Sequence, residues 1–152
     1  MSDTLKITIT LSITSILLSL IGICITKYYL KHSKKISDDQ MLKQLFTEFN
    51  QRYNELNDYL LEIELDKINL LDDNDKSKAF RKKAIDYFNL CAEEYFWHKH
   101  KERIDPVIWK SWQEGIRYWF DVPAIKSLWK EEIKNNGYLS YYLNDEDEFF
   151  NI

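Results

Sequence analysis

The stretch from Ile7 to Thr26, ITITLSITSILLSLIGICIT, is twenty residues without a charge, closed at each end by Lys6 and Lys27. At about 1.5 Å per residue, a helix of that length crosses the roughly 30 Å hydrocarbon core of a bilayer. The remaining residues are polar enough to be soluble. The sequence therefore predicts an all-α protein: one N-terminal transmembrane helix over 7–26, followed by a bundle of about four helices. A cleaved signal peptide is the alternative. It fits less well, because the apolar run is longer than a usual signal core and LKHSKK, not a small-x-small cleavage site, follows it.

Charge sets the expected orientation. Residues 1–35 carry +4, so the rest of the chain must carry −8 of the net −4. Lys27, Lys31, Lys34 and Lys35 crowd the far side of the span, while Asp3 and Lys6 nearly cancel on the near side. The positive-inside rule then gives a short external N-terminus (1–6), a basic juxtamembrane collar (27–36) that meets lipid headgroups, and a cytoplasmic domain at an inner membrane. Tyr28 and Tyr29 stand where interfacial aromatics belong. An acidic domain excludes nucleic acid as a partner through its phosphates. Cys24 lies in the apolar run and Cys91 in a helical pattern, so no disulfide framework is expected.

The span has a pattern of its own. Thr8, Ser12, Ser15, Ser19, Gly22 and Thr26 are spaced four and three in alternation, which places them on one helix stripe. Small residues let helices approach closely in lipid, and hydroxyls can bond between them. The stripe is read as a seam for self-association. The alternative is that each hydroxyl bonds its own i−4 carbonyl in a passive anchor. Thr10 and Thr14, off the stripe, favour that alternative.

Ser37-Asp-Asp-Gln40 resembles a capping box, so a new helix is expected to begin at Ser37. Leu42, Phe46, Phe49, Tyr53, Leu56, Leu60 and Ile63 form its stripe, read as packing on its own domain rather than on another copy. That register is one residue out of step with the membrane stripe. Asp72 to Ser77 is a polar loop; it lacks the Gly and closing Glu of a calcium loop. A helix from about Lys76 to Lys101 follows, with Phe80, Ala84, Phe88, Cys91 and Tyr95 on one stripe and Ile85, Ala92 and Phe96 beside it. Asp105-Pro106 reads as N-cap and N1 of the next helix, which reaches Phe120 and carries Val107, Ile108, Trp112, Ile116 and Trp119 as its apolar positions. A last helix begins near Pro123, presents Ile125, Leu128, Trp129 and Ile133, and ends in a cap at Asn136-Gly137. The domain is taken as 37–143, with an acidic tail over 144–152.

The passages Phe49 to Asn57 (FNQRYNELN), Asp86 to Glu94 (DYFNLCAEE) and Ile104 to Trp112, with the late pair Tyr141-Tyr142, resemble a group of small bacterial helical proteins. The resemblance implies bacterial origin and a helical domain. The group has no agreed activity to carry over. Some such anchored proteins sit in mobile elements, which suggests a role in phage defence or signalling.

Cys91, Glu94 and His98 fall at i, i+3 and i+7, a spacing that could bind a metal or pair a nucleophile with a base. It is common by chance, and a buried Cys91 with exposed Glu94 and solvated His98 explains it as well. With no Gly-rich phosphate loop, no catalytic, cofactor or metal residue is assigned and an enzyme is not expected. The aromatics crowd the C-terminal half, and helix geometry cannot point all of them inward. Trp97, Trp109, Tyr141 and Tyr142 form the candidate partner surface. The sequence thus suggests a membrane-anchored interaction or regulatory module that binds itself and an unidentified protein, without a cofactor. The alternatives are an oligomeric pore-forming effector, with the Thr/Ser stripe as lining, and a tethered enzyme using Cys91 or His98.

Overall fold

Helix α1 runs without interruption from Asp3 to Leu65. This comes from a computed structural model that describes residues 3–146, 148 and 149. The expectations for residues 1 and 2, and for residues 147 and 150–152 of the tail, lie outside the described residues. The capping box at Ser37 does not act as one: Ser37 to Gln40 are helical. Mid-helix Ser and Asp cost only a few tenths of a kcal/mol each, whereas a fresh helix start carries the whole nucleation penalty. Continuing is the smaller cost.

Contacts divide the chain into two units, residues 1–43 and 44–152. In the first, the apolar stretch of α1 is long and apolar enough to cross a membrane, and it buries nothing within the chain. The second contains the C-terminal part of α1 together with α2 (Asp75–Lys99), α3 (Pro106–Asp121), α4 (Pro123–Glu132) and a 3-10 segment (Lys134–Tyr141). The chain is all-α, with no strand among the described residues.

Within the second unit, α1 buries Leu45, Phe49, Leu56, Leu60 and Ile63, close to the expected stripe. Phe46 is the exception at 40% exposed; Leu45 is inside instead. Asn74 caps α2 by accepting from the Ser77 amide at 2.8 Å. The loop before it is clamped by Arg81, which donates to the carbonyls of Leu70 (2.6 Å) and Asp72 (2.7 Å). Asp105 caps α3 as expected, accepting from the Val107 amide at 2.8 Å. On α4, Ile125, Leu128 and Trp129 are buried, joined by Ile133 just past its end.

Two expectations need correction. The face of α3 turned inward carries Trp109, Gln113, Ile116 and Phe120, with Trp119 beside it, while Trp112 is only half-buried. The polar Gln113 at a core position hides this stripe from a hydrophobic count; its Nε2 donates to the Phe149 carbonyl at 2.8 Å in the interior. The end of α4 also differs. Ile133 is its C-cap, and Asn135 (φ 55°) and Asn136 (φ 68°) take the left-handed turn. Gly137 serves another purpose: a Cβ there would stand 1.8 Å from the Glu132 carbonyl oxygen. The turn brings Tyr141 back onto Trp129, ring centroids 5.0 Å apart. The acidic tail is not wholly solvent-borne either, because Phe149 is fully buried.

Trp109→Ala should therefore cost about 3–5 kcal/mol, and Trp112→Ala under about 2 kcal/mol. Urea titration of the two variants checks this; the reverse order would put the inward face of α3 back on Trp112.

Candidate functional site

The first two passages quoted for the bacterial resemblance meet in space. Arg52 of α1 forms two hydrogen bonds to the Glu93 carboxylate of α2, at 2.5 and 2.9 Å. The planar guanidinium matches a carboxylate in this paired geometry. Next to the clamp lies a cavity of about 210 Å³. Helix α1 lines it with Asn50 and Tyr53, α2 with Tyr87 and Glu94, and α3 with Trp112 and Gly115. Phe49 meets Trp112 edge to face with centroids 5.8 Å apart, and Tyr53 and Tyr87 lie 6.4 Å apart. The Tyr53 hydroxyl accepts from Trp119 Nε1 at 3.0 Å, which fixes its ring.

Glu94 is the unusual member. It is 9% exposed. Burial pushes its carboxyl from 4.5 up to about 8; the Arg52 charge opposes that rise and Glu93 adds to it. At neutral pH it is mostly protonated. The expectation of a surface Glu94 is thus corrected: i+3 from Cys91 is an inward position, and a glutamate there loses its hydration.

The Cys91–Glu94–His98 set does not assemble as chemistry. Cys91 is fully buried, and that burial, followed by the Glu94 charge, pushes its thiol well up, away from the nucleophilic thiolate. His98 is engaged elsewhere: its ring stacks on Trp109 at 5.1 Å with 10° between planes, and Nδ1 lies 3.0 Å from the Ile104 carbonyl oxygen. Among the described residues no group of three His, Cys, Asp or Glu is placed to hold a metal.

The candidate partner surface divides. Trp109 (1% exposed) and Tyr141 (4%) belong to the core, not to a surface. Trp109 is inward because the true stripe passes through Gln113. Tyr141 is inward because of the Asn135-Asn136 turn, and its hydroxyl donates to Glu132 at 3.1 Å. Trp97 is half-buried and Tyr142 exposed. The Tyr142 ring lies tilted against Phe96 with centroids 5.0 Å apart, and Lys101 Nζ is 5.2 Å from the Phe96 ring. On the apolar stretch of α1, Thr8, Ser12, Ser19 and Thr26 donate to their own i−4 carbonyls at 2.8–3.0 Å. So do Thr10 and Thr14, off the stripe. Ser15 is exposed, and Gly22 has nothing within 4 Å of where a Cβ would stand. The collar residues Lys27, Lys31, Lys34 and Lys35 are exposed.

The cavity and its carboxyl escaped the sequence reading. Their signal was there in part: Glu94 shares the stripe of Cys91 and Tyr87, and a charged residue on an apolar stripe marks a buried ionisable group.

No family model, curated protein or solved structure matches the chain.

The Glu94 proton makes a stability prediction. Between pH 4.5 and about 8 the folded chain holds that proton while the unfolded chain has lost it. The contribution is complete below pH 4.5 and declines as pH rises to about 8. The loss is at most roughly 1.4 kcal/mol per pH unit. Glu94→Gln should remove that slope and be the more stable protein at pH 8. Urea midpoints at pH 6, 7 and 8 decide it: parallel curves for both proteins would mean Glu94 titrates normally.

Proposed function

We propose that this chain is a membrane-anchored interaction or regulatory module of a bacterial inner membrane, with residues 36–152 in the cytoplasm and α1 self-associating. The observation carrying this reading is the apolar stretch of α1. Its side chains find no cover within the chain, and lipid or a second helix supplies it. The exposed lysine collar supports the orientation. A partner surface narrows to Trp97, Phe96 and Tyr142, since the other aromatics are used by the core.

The pore-forming reading has less support. Threonine and serine hydroxyls back-bond equally on and off the stripe, so no polar face is set apart for water. Tethered chemistry at Cys91 or His98 has less still, since the thiol is buried and the imidazole engaged.

A C-terminal alkaline phosphatase fusion should be inactive and a C-terminal fluorescent fusion bright; the opposite pair of results would reverse the orientation. For the seam, the hydroxyls of Thr8, Ser12, Ser19 and Thr26 already donate within the helix, which leaves Ser15 and close approach at the small residues as the driving force. Gly22→Ile and Ser15→Ile should reduce self-association in a membrane two-reporter assay, and Leu18→Ile and Ile21→Val should not. Equal association in all four variants would reduce the stripe to the composition of a passive anchor.

A further inference from the structure

A cleft opens between α1, α2 and α3. A glycine inside a helix is less stable than alanine, and such a residue normally answers to a close neighbour. Gly115 has none: it is exposed, and nothing lies within 4 Å of where its Cβ would stand. It stands at the rim of a cleft of about 210 Å³, roughly seven water molecules' worth. Glu94 lines that cleft, only 9% exposed, and solvent in the cleft reaches its carboxyl oxygens. The carboxyl can therefore accept a donor or a cation that enters there.

The lining says what kind of partner. Tyr53, Tyr87 and Trp112 line the same cleft as Glu94, and aromatic rings attract organic cations. Asn50 uses its Nδ2 on the Phe46 carbonyl at 2.8 Å, so its Oδ1 remains as an acceptor. The nearby cation, Arg52, is held by Glu93 through two bonds. An anion would face a carboxyl that takes on negative charge as pH passes about 8. A metal ion would find one carboxylate and no cluster of three ligands among the described residues.

We propose that this cavity binds a small organic ammonium group, with Glu94 as its counter-ion and Tyr53, Tyr87 and Trp112 as its walls. The inference goes beyond the anchoring reading and does not depend on it. The groups facing Glu94 are Arg52 and Tyr53 from α1 and Tyr87, Cys91 and Glu93 from α2; α3 contributes uncharged residues. Binding requires the carboxylate, so the Glu94 proton leaves for buffer as the cation enters. Affinity should therefore rise with pH, by roughly eightfold from pH 7 to 8.5 for a group titrating at about 8.

The test is calorimetric titration of the full chain in dodecyl maltoside. The probes are tetramethylammonium, methylammonium and a blocked lysine peptide, each against sodium chloride of equal ionic strength. Saturable binding of a free ion is expected, stronger at pH 8.5. Binding of the lysine peptide alone would assign the ammonium to a protein side chain. Glu94→Gln should weaken binding at least tenfold. Gly115→Leu, which fills the cavity from a helix position with open space, should abolish it while leaving the helical circular dichroism unchanged. It decides the matter should Glu94→Gln fail to fold. Heats equal to those of sodium chloride for all three probes, or unchanged binding in a folded variant, would leave the cavity holding only water over a protonated Glu94.

Discussion

The folded unit depends on a cluster of rings drawn from every element after α1. Phe88 of α2, Phe120 of α3 and Trp129 of α4 meet pairwise with centroids 5.0–5.1 Å apart, and Tyr141 of the 3-10 segment lies 5.0 Å from Trp129. Phe149 closes the cluster at 5.5 Å from Trp129 and 5.7 Å from Tyr95. Tilted and edge-to-face pairs of this kind add about 0.5–1.5 kcal/mol each beyond the area they bury. Helix α4 has ten residues, too few to be stable alone in water. It is helical because its one apolar face is held by rings from its neighbours.

Polar groups inside this unit fall into two kinds. Gln113 is buried and satisfied, and its bond to the Phe149 carbonyl ties the C-terminal residues to α3. Glu148 reinforces the tie, accepting from the Tyr95 hydroxyl and from the Asn144 amide. Trp109 Nε1 is buried without a partner among the described residues, and Glu94, largely buried at the cleft, stays mostly neutral at pH 7 because burial disfavours its charge. A satisfied polar group adds specificity to a core, while an unsatisfied one lowers stability. The clamp between Arg52 and Glu93 sits beside Glu94 and holds α1 to α2 there. Its donors and acceptors are matched in pairs, so it does not neutralise Glu94.

The N-terminal unit solves a different problem. A helix in lipid must satisfy every backbone group internally, and its hydroxyls face the same demand. Thr8, Ser12, Ser19 and Thr26 meet it by donating to carbonyls one turn back. Gly22, in line with them, has open space where a Cβ would stand.

The sequence by itself determined the helices, the apolar span and most of each buried stripe. Those features follow from short-range periodicity, and the caps at Asp105 and the collar lysines are equally local. The expected break at Ser37 failed because a cap is a choice between ending and continuing, and nucleation cost favours continuing. Tertiary structure decided which tryptophan of α3 is inside, since Gln113 counts as core only once the Phe149 carbonyl arrives from far along the chain. It also decided that Tyr141 and Phe149 are core residues, through two left-handed asparagines that no periodicity reveals. The pocket around Glu94 is the clearest case. Asn50, Tyr53, Tyr87, Glu94, Trp112 and Gly115 come from three helices, and the raised carboxyl exists only because their packing removes water from it.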